Sequence, residues 1–340
     1  MNRYLYRYLR LSEIDRFKQF IELHWRSGHI LSWCDPLIRF QYEVPNEDRL
    51  TIAVAENSLT GEIDGVYGYI SSDKYDSSPA VLKTLWGAVW KVRDDIDNPD
   101  LGKVGMGLLK FILRNEPAEV FASLGISGIH KGIALKLNYE VGEMNHWYIA
   151  NPSVTEFKVA VWPHVMYEAK KGCSYLRPVI LSSCVNIENP SNPQKSIEYF
   201  INRYAQHPYY DYRFIGWFAE SSLIGLFVIR KVHLGFASVL RIVDFIGDAS
   251  KADTLEFCFQ DMLREEGAEY VDCRNYGIDD DAFLKWGFVK AVPGSETVIP
   301  EYFEPFERRY VKLEYAYISP GPLVVFKADG DQDRPNILPQ

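Results

Sequence analysis

The chain is poor in cysteine, has no long apolar run and carries no excess of positive charge. Its five cysteines (Cys34, Cys173, Cys184, Cys258, Cys273) are scattered through 340 residues, and none forms a Cys-x-x-Cys pair. Reduced, mostly buried thiols are therefore expected, and no metal site. No apolar stretch approaches membrane-spanning length, and Met1-Asn2-Arg3-Tyr4 does not open a signal peptide. A cytoplasmic protein without a membrane partner is the expectation. Lys and Arg number 37 against 46 Asp and Glu, a net charge of −9. That argues against a nucleic-acid partner, yet leaves room for a local basic pocket for a phosphorylated small molecule. No Gly-Lys-Ser/Thr Walker ending and no Gly-x-Ser-x-Gly elbow occurs, and no Gly/Ser/Pro-rich tether divides the chain.

Hydrophobic residues make up 47% and charged residues 24%, the balance of a globular chain. The length suits two domains. Aromatics reach 14%, with 22 tyrosines, which suits sheet packing or the stacking of a base or sugar ring. The informative stretch is Leu85 to Leu113. An apolar, β-rich run to Val92 is followed by a polar turn to Asp100, broken by Asn98-Pro99. Gly102, Gly105 and Gly107 come next, and Leu108, Leu109, Ile112 and Leu113 recur at helical spacing. Strand, glycine turn and helix aim unpaired N–H groups and a positive dipole end at an anion.

Along the chain the pattern predicts a strand over Tyr4–Leu9, then a helix with Ser12 as N-cap and Ile14, Phe17, Phe20, Ile21 and Leu23 on one apolar face. A second helical patch spans Asp35–Tyr42. A hairpin joins Leu50–Glu56 to Ile63–Ser71. After the glycine stretch come a strand (Glu119–Ile126), a helix (Ile129–Leu137) and a closing strand (His146–Ala150). The second half repeats this grammar, with strands near 174–181, 213–220, 222–232, 239–246 and 269–273. Its helices lie near 196–205, 254–264 and 279–285. The turn after Ile246 has no glycine cluster and carries Asp248 and Asp253, which would repel phosphate.

Gly102-Lys103-Val104-Gly105-Met106-Gly107 resembles the Gln/Arg-x-x-Gly-x-Gly/Ala loop of GNAT acyltransferases, which cradles the pyrophosphate of coenzyme A. Gly102 replaces the Gln/Arg, and Lys103 can supply the charge. Ala134-Leu135-Lys136-Leu137-Asn138-Tyr139-Glu140 resembles the family's closing helix, with Asn138 for the glycine; asparagine tolerates the left-handed conformation. Trp286-Gly287-Phe288 resembles the same ending in the second half. The resemblance implies an α/β tandem GNAT fold: a mixed, mostly antiparallel sheet with flanking helices in each of two domains. The division is 1–155, carrying the coenzyme loop, and 156–340, degenerate and contributing to the acceptor site. His24-Trp25, His29-Ile30-Leu31, Asn145-His146-Trp147-Tyr148-Ile149, Asn275-Tyr276-Gly277-Ile278 and the tail from Phe326 bring it nearest the two-domain enzymes that acylate nucleotide-linked amino sugars.

The resemblance to those enzymes implies a donor, an acceptor and a set of contacts. The implied donor is acyl-coenzyme A (acetyl or 3-hydroxybutanoyl) as co-substrate, with no permanently bound cofactor. The implied acceptor is the amine of a dTDP-linked 3-amino-3,6-dideoxy sugar, for surface polysaccharide. The implied coenzyme contacts are Val92, Arg93, Lys103, Val104, Gly105, Met106, Gly107 and Leu108. The family's oxyanion donor falls near Trp90 to Arg93, and its helix tyrosine is replaced by Ala134. Direct attack needs a base for the amine, and the candidates are His29, His146, Asp94 and Asp95; the two acids suit capping of the turn before the glycines, and His146 is preferred to His29, with Asn145 holding a sugar hydroxyl. His29, Asn145, Tyr276, Lys327 and Arg334 are the candidate acceptor contacts. A different amine, or a binding protein without turnover, remains open; so does the oligomeric state.

Overall fold

The computed structural model describes residues 3–78, 82–184, 187–301, 307–331 and 333. The first half runs β1 (Tyr4–Tyr8), α1 (Ile14–His24), α2 (Asp35–Tyr42), β2 (Ile52–Asn57), β3 (Ile63–Ser71), β4 (Thr84–Val92), α3 (Leu101–Asn115), β5 (Val120–Leu124), α4 (Gly128–Lys136) and β6 (Glu140–Glu143). Next come β7 (Asn145–Ala150), β8 (Ser174–Pro178), α5 (Ile197–Phe200), β9 (Tyr212–Ala219), β10 (Ser222–His233), β11 (Ser238–Gly247), α6 (Glu256–Glu266) and β12 (Tyr270–Tyr276). The chain finishes with α7 (Asp280–Trp286), β13 (Val289–Lys290), β14 (Glu314–Ile318) and β15 (Val325–Phe326).

Local patterning explains most of these elements. In α1, Ile14, Phe17, Phe20 and Ile21 are buried as expected, but Leu23 is 66% exposed. It lies roughly 200° round the helix from Ile21, off the apolar stripe. Ser12 does not cap α1; it sits in a 3₁₀ turn over Leu11–Glu13. Asn138 has φ +60° and Gly287 φ +93°, so both helices end on left-handed residues.

The first sheet has the order β1-β2-β3-β4-β5-β14-β6, and the second β13-β7-β12-β11-β10-β9-β8, with β15 also on β12. The halves therefore exchange strands. Only Met144 separates β6 from β7. Its N–H bonds to Leu313 O at 2.9 Å and its side chain is buried, so the chain turns out of one sheet into the other. β7 pairs antiparallel with β12, while β14, from near the chain's end, fills the gap between β5 and β6. No single cut of the chain at residue 155 separates the two sheets.

The largest apolar cluster is shared. It joins Phe17, Phe20, Ile52, Val54 and Trp86 of the first half to Phe200, Leu226, Val228, Val243 and Ile246 of the second. On the other face of the first sheet, Val104, Leu108, Leu109 and Ile112 of α3 pack on Ala53, Ala55, Tyr67, Tyr69 and Leu85. A Cβ on Gly65 would lie 2.8 Å from Val104, so α3 rests directly on β3. α1 and α3 thus cover opposite faces of one sheet.

Candidate active site

β4 and β5 run parallel and pair only from Thr84–Val120 to Gly87–Ser123. Beyond that point β4 continues to Val92 with no described strand on its β5 side. The β3–β4 register slips between Gly68 and Tyr69, leaving Ala88 as an extra residue where the strands part. Such a bulge bends and twists its strand. The Arg93 N–H donates to Asp64 O at 3.0 Å. Alternate residues of a strand point their N–H groups to opposite sides. The N–H groups of Trp90 and Val92 therefore point away from β3, into the split.

One end of α3 faces this split. The loop before it is pinned from within: Asn98 Nδ2 donates to the Tyr4 hydroxyl at 2.8 Å, and that hydroxyl to Asp64 at 2.8 Å. Asp100 N and Leu101 N close on Asn98 Oδ1 and O. The expected glycine turn is in fact helix. α3 begins at Leu101, so Gly102, Gly105 and Gly107 occupy its first two turns. Two of them are small because something else is close. A Cβ on Gly105 would sit 3.3 Å from the Trp90 indole nitrogen, and one on Gly107 2.1 Å from the Tyr6 hydroxyl. Gly102 faces open space. Val104 and Leu108 turn their side chains into the core, leaving only backbone for a ligand. The Lys103 side chain is 85% exposed and lies 3.6 Å from Asp100, which also lies 3.6 Å from Arg3.

On the same face Trp90 meets Tyr67 edge-on at 5.0 Å and His130 of α4 at 4.9 Å. Burial lowers the His130 imidazole to about 4, so it is neutral near pH 7. At the last paired position, Gly87, the Ser123 and Tyr67 hydroxyls occupy the space a Cβ would need, 2.4 and 2.5 Å from it. Among the described residues neither hydroxyl finds a well-aligned hydrogen bond, although both are buried. Burial pushes the Tyr67 phenol up, with the Ser123 hydroxyl working against it.

The opposite face carries a groove of 410 Å³ between α1, the β2–β3 turn and the loop after β4. Arg16, Phe20, His24, Glu62, Arg93 and Asp95 line it. Arg93 belongs here rather than on the coenzyme face. It donates to both Asp95 oxygens at 2.8 and 2.9 Å and to Glu62 at 2.9 Å. Arg93 holds the Asp95 carboxyl down at about 2.

His146, the expected base, lies elsewhere. β7 carries it into the second sheet, where it is 1% exposed. Its Nε2 is 2.7 Å from Asp272 Oδ2, and its Nδ1 is buried with no hydrogen-bond partner among the described residues. Asp272 accepts from Arg241 at 3.1 and 2.7 Å, and Glu301 accepts from Arg241 and Arg274. Burial, then Arg274, lowers the imidazole to about 4. This is an enclosed ionic cluster that fixes a core. Lys327 belongs to the same cluster, 2% exposed with its ammonium on Glu301, so it presents no charge to a diphosphate. Asn145 donates to Asp280 at 3.3 Å. His29 caps a 3₁₀ turn, its Nδ1 accepting from Leu31 N at 3.1 Å. Tyr276 donates to Glu140 at 2.6 Å and packs on Tyr315 at 4.3 Å, where the sheets meet. Arg334 lies outside the described residues. Sequence reasoning did not single out Tyr67, Ser123, His130 or the His24–Asp95 pair. His24-Trp25 and Asp95 each carried a signal, the latter as a base candidate or turn cap, but nothing in the sequence joined two residues so far apart in the chain.

No family model matches the chain, and no curated protein does. Solved structures do. A GCN5-related N-acetyltransferase from Anabaena variabilis superposes with a TM-score of 0.56 at 10% identity, over 93% of this chain and 72% of its own. An Enterococcus faecalis protein described as a probable N-acyltransferase gives 0.53 at 8% identity, over 85% and 70%. The fold is that of the GNAT acyltransferases. The two sheets, mostly antiparallel with one parallel pair each, agree with that architecture.

Proposed function

We propose that this chain is an acyl-coenzyme-A-dependent N-acyltransferase acting by direct attack of an amine on the thioester. The observation that carries the reading is the split beyond Gly87–Ser123. Two backbone N–H groups point into it, a helix start lies on one face and a polar groove on the other. A thioester carbonyl lying along β4 gains negative charge when attacked, and the N–H of Trp90 or Val92 is a fixed donor for it. The start of α3 and Lys103 would hold the diphosphate of the coenzyme, Lys103 swinging off Asp100 as it binds. Val92 and the start of α3, Lys103 to Leu108, would supply backbone and Lys103 the charge.

The acceptor we favour is a nucleotide-linked amino sugar, such as a dTDP-linked 3-amino-3,6-dideoxyhexose. Tyr276 is half-buried where the sheets meet, backed by the buried rings of Tyr315 and Tyr317, and is the aromatic group there that a base or sugar ring could reach. His29 stands in the loop after α1, beside Trp25 at 6.3 Å. The test is thiol release from acetyl- and 3-hydroxybutanoyl-coenzyme A with a panel of amino-sugar nucleotides, amino acids and aminoglycosides. Release only with the sugar nucleotides supports the full reading, and release with another amine keeps the reaction and changes the acceptor. Coenzyme binding without release from any amine points to a binding protein; the exposed Asp100 carboxylate at the helix start and Ala134 in place of a tyrosine favour that second reading.

A further inference from the structure

Within the acyl-transfer reading, on which this step rests, the geometry points to His24 as the group that takes the proton from the attacking amine, with Asp95 positioning it. His24 ends α1 and lines the 410 Å³ groove, its side chain 12% exposed. Its ring rests on Phe20, with centroids 5.0 Å apart, which fixes one face. Nδ1 stands 3.5 Å from Asp95 Oδ1. A carboxylate there selects the tautomer with the proton on Nδ1 and leaves the Nε2 lone pair free to accept. Among the described residues Nε2 has no hydrogen-bond partner. Asp95 is itself held by two Arg93 hydrogen bonds, so it stays ionised and oriented.

The placement relative to the split is the second argument. Arg93 is the residue directly after Val92, so the groove begins where the unpaired edge of β4 ends. It lies on the α1 face, opposite α3. A donor entering from α3 and an acceptor entering from the groove would meet at that edge from opposite sides. The charges facing His24 are Arg16 on its own helix, Glu62 on the β2–β3 turn, and Arg93 and Asp95 on the loop. Arg16 is engaged by Glu13, Glu56 and Gly61 O, and Arg93 by Glu62, Asp64 and Asp95. Both cations are thus neutralised locally.

The step balances without another reactant. The amine nitrogen bonds to the thioester carbon, and His24 Nε2 takes the proton that nitrogen loses. The carbon–sulfur bond breaks, and the thiolate leaves with its electron pair, later protonated by water. Positioned acid–base groups contribute ~10²- to 10⁴-fold. The test compares wild type with His24→Gln, His24→Ala, Asp95→Asn and the control His29→Gln, using acetyl-coenzyme A and whichever amine of the panel gives release.

His24→Gln should lower kcat at least ~100-fold, leave KM for acetyl-coenzyme A unchanged and lose the acid limb of the rate profile. Added imidazole should restore part of the His24→Ala rate, which a merely helix-ending histidine would not allow. Asp95→Asn should fall less, by ~10-fold, and His29→Gln should keep its acid limb. Unfolding midpoints of both His24 variants separate misfolding from chemistry. Wild-type turnover with an unimpaired His24→Gln, or with no imidazole rescue in a folded His24→Ala, overturns the assignment while the acyl-transfer reading stands. Coenzyme binding with no wild-type turnover on any amine overturns both.

Discussion

Burial of His146 makes a prediction that separates a structural histidine from a catalytic one. In the native protein its imidazole is lowered from 6.5 to about 4, by burial first and then by Arg274. The unfolded chain takes up that proton near the ordinary value. Between those two pH values the unfolded state therefore binds more protons than the native state. The stabilisation is complete above pH 6.5 and is lost as pH falls toward 4. The full difference is worth about 3 kcal/mol, of which about 2 kcal/mol disappears between pH 7 and pH 4.5. His146→Gln cannot titrate. It should be less stable at pH 7 by about 1–3 kcal/mol, since Asp272 loses one buried partner, but Arg241 still holds that carboxylate. Its loss on acidification should be smaller than wild type's by about 2 kcal/mol. The buried histidines His130 and His207, also lowered, contribute alike to both proteins and cancel. The assay is urea unfolding at pH 7 and pH 4.5 on both proteins. An equal drop in each would refute the argument, and a folded variant with abolished turnover but intact coenzyme binding would restore His146 as a base.

Three further outcomes are expected. Gly87→Ala forces a methyl to within 2.4 Å of Ser123 Oγ and 2.5 Å of the Tyr67 hydroxyl, both buried. It should cost about 1–3 kcal/mol in thermal or urea unfolding and impair turnover more than stability alone accounts for. Lys103→Glu, on a side chain 85% exposed, should leave stability unchanged and weaken acetyl-coenzyme A binding ~10-fold at low salt, less at high salt, by calorimetry. Arg203→Met removes the guanidinium that bonds Ala328 O and Gly330 O at 2.9 and 2.8 Å. Loss of these buried charged bonds should cost about 3 kcal/mol and expose the segment after Phe326 to proteases; unchanged cleavage there would mean that segment is held otherwise.

Several features were legible because they are local. The apolar spacing of Phe17, Phe20 and Ile21, the α2 patch from Asp35 to Tyr42, and the hairpins at Ser58–Gly61 and Glu220–Ser222 need only near neighbours to be recognised. So do the left-handed endings at Asn138 and Gly287. The run from Leu85 to Leu113 read as strand, turn and helix, although its glycines proved to be helix. There the reason was not local: Gly105 makes way for Trp90 and Gly107 for Tyr6. The candidate site was legible on its coenzyme side and not on its acceptor side. Glycines and a lysine in sequence announce an anion, and Asp95 stands out as an acid beside them, but nothing in the sequence pairs it with His24.

What the chain's own pattern determined was the set of helices and strands and the order in which they occur, because periodicity and turn chemistry act within a few residues. Tertiary structure alone decided which sheet each strand joined. A strand such as β7 or β14 presents the same alternating faces to either partner, so the choice rests on the bend at Met144 and on pairing across the molecule. It also decided the role of His146. Asp272, Arg241, Arg274, Glu301 and Lys327 are distant in the chain and meet only when the sheets close. Burial then takes that imidazole out of solvent, while His24, at a helix end above an open groove, keeps its access to it.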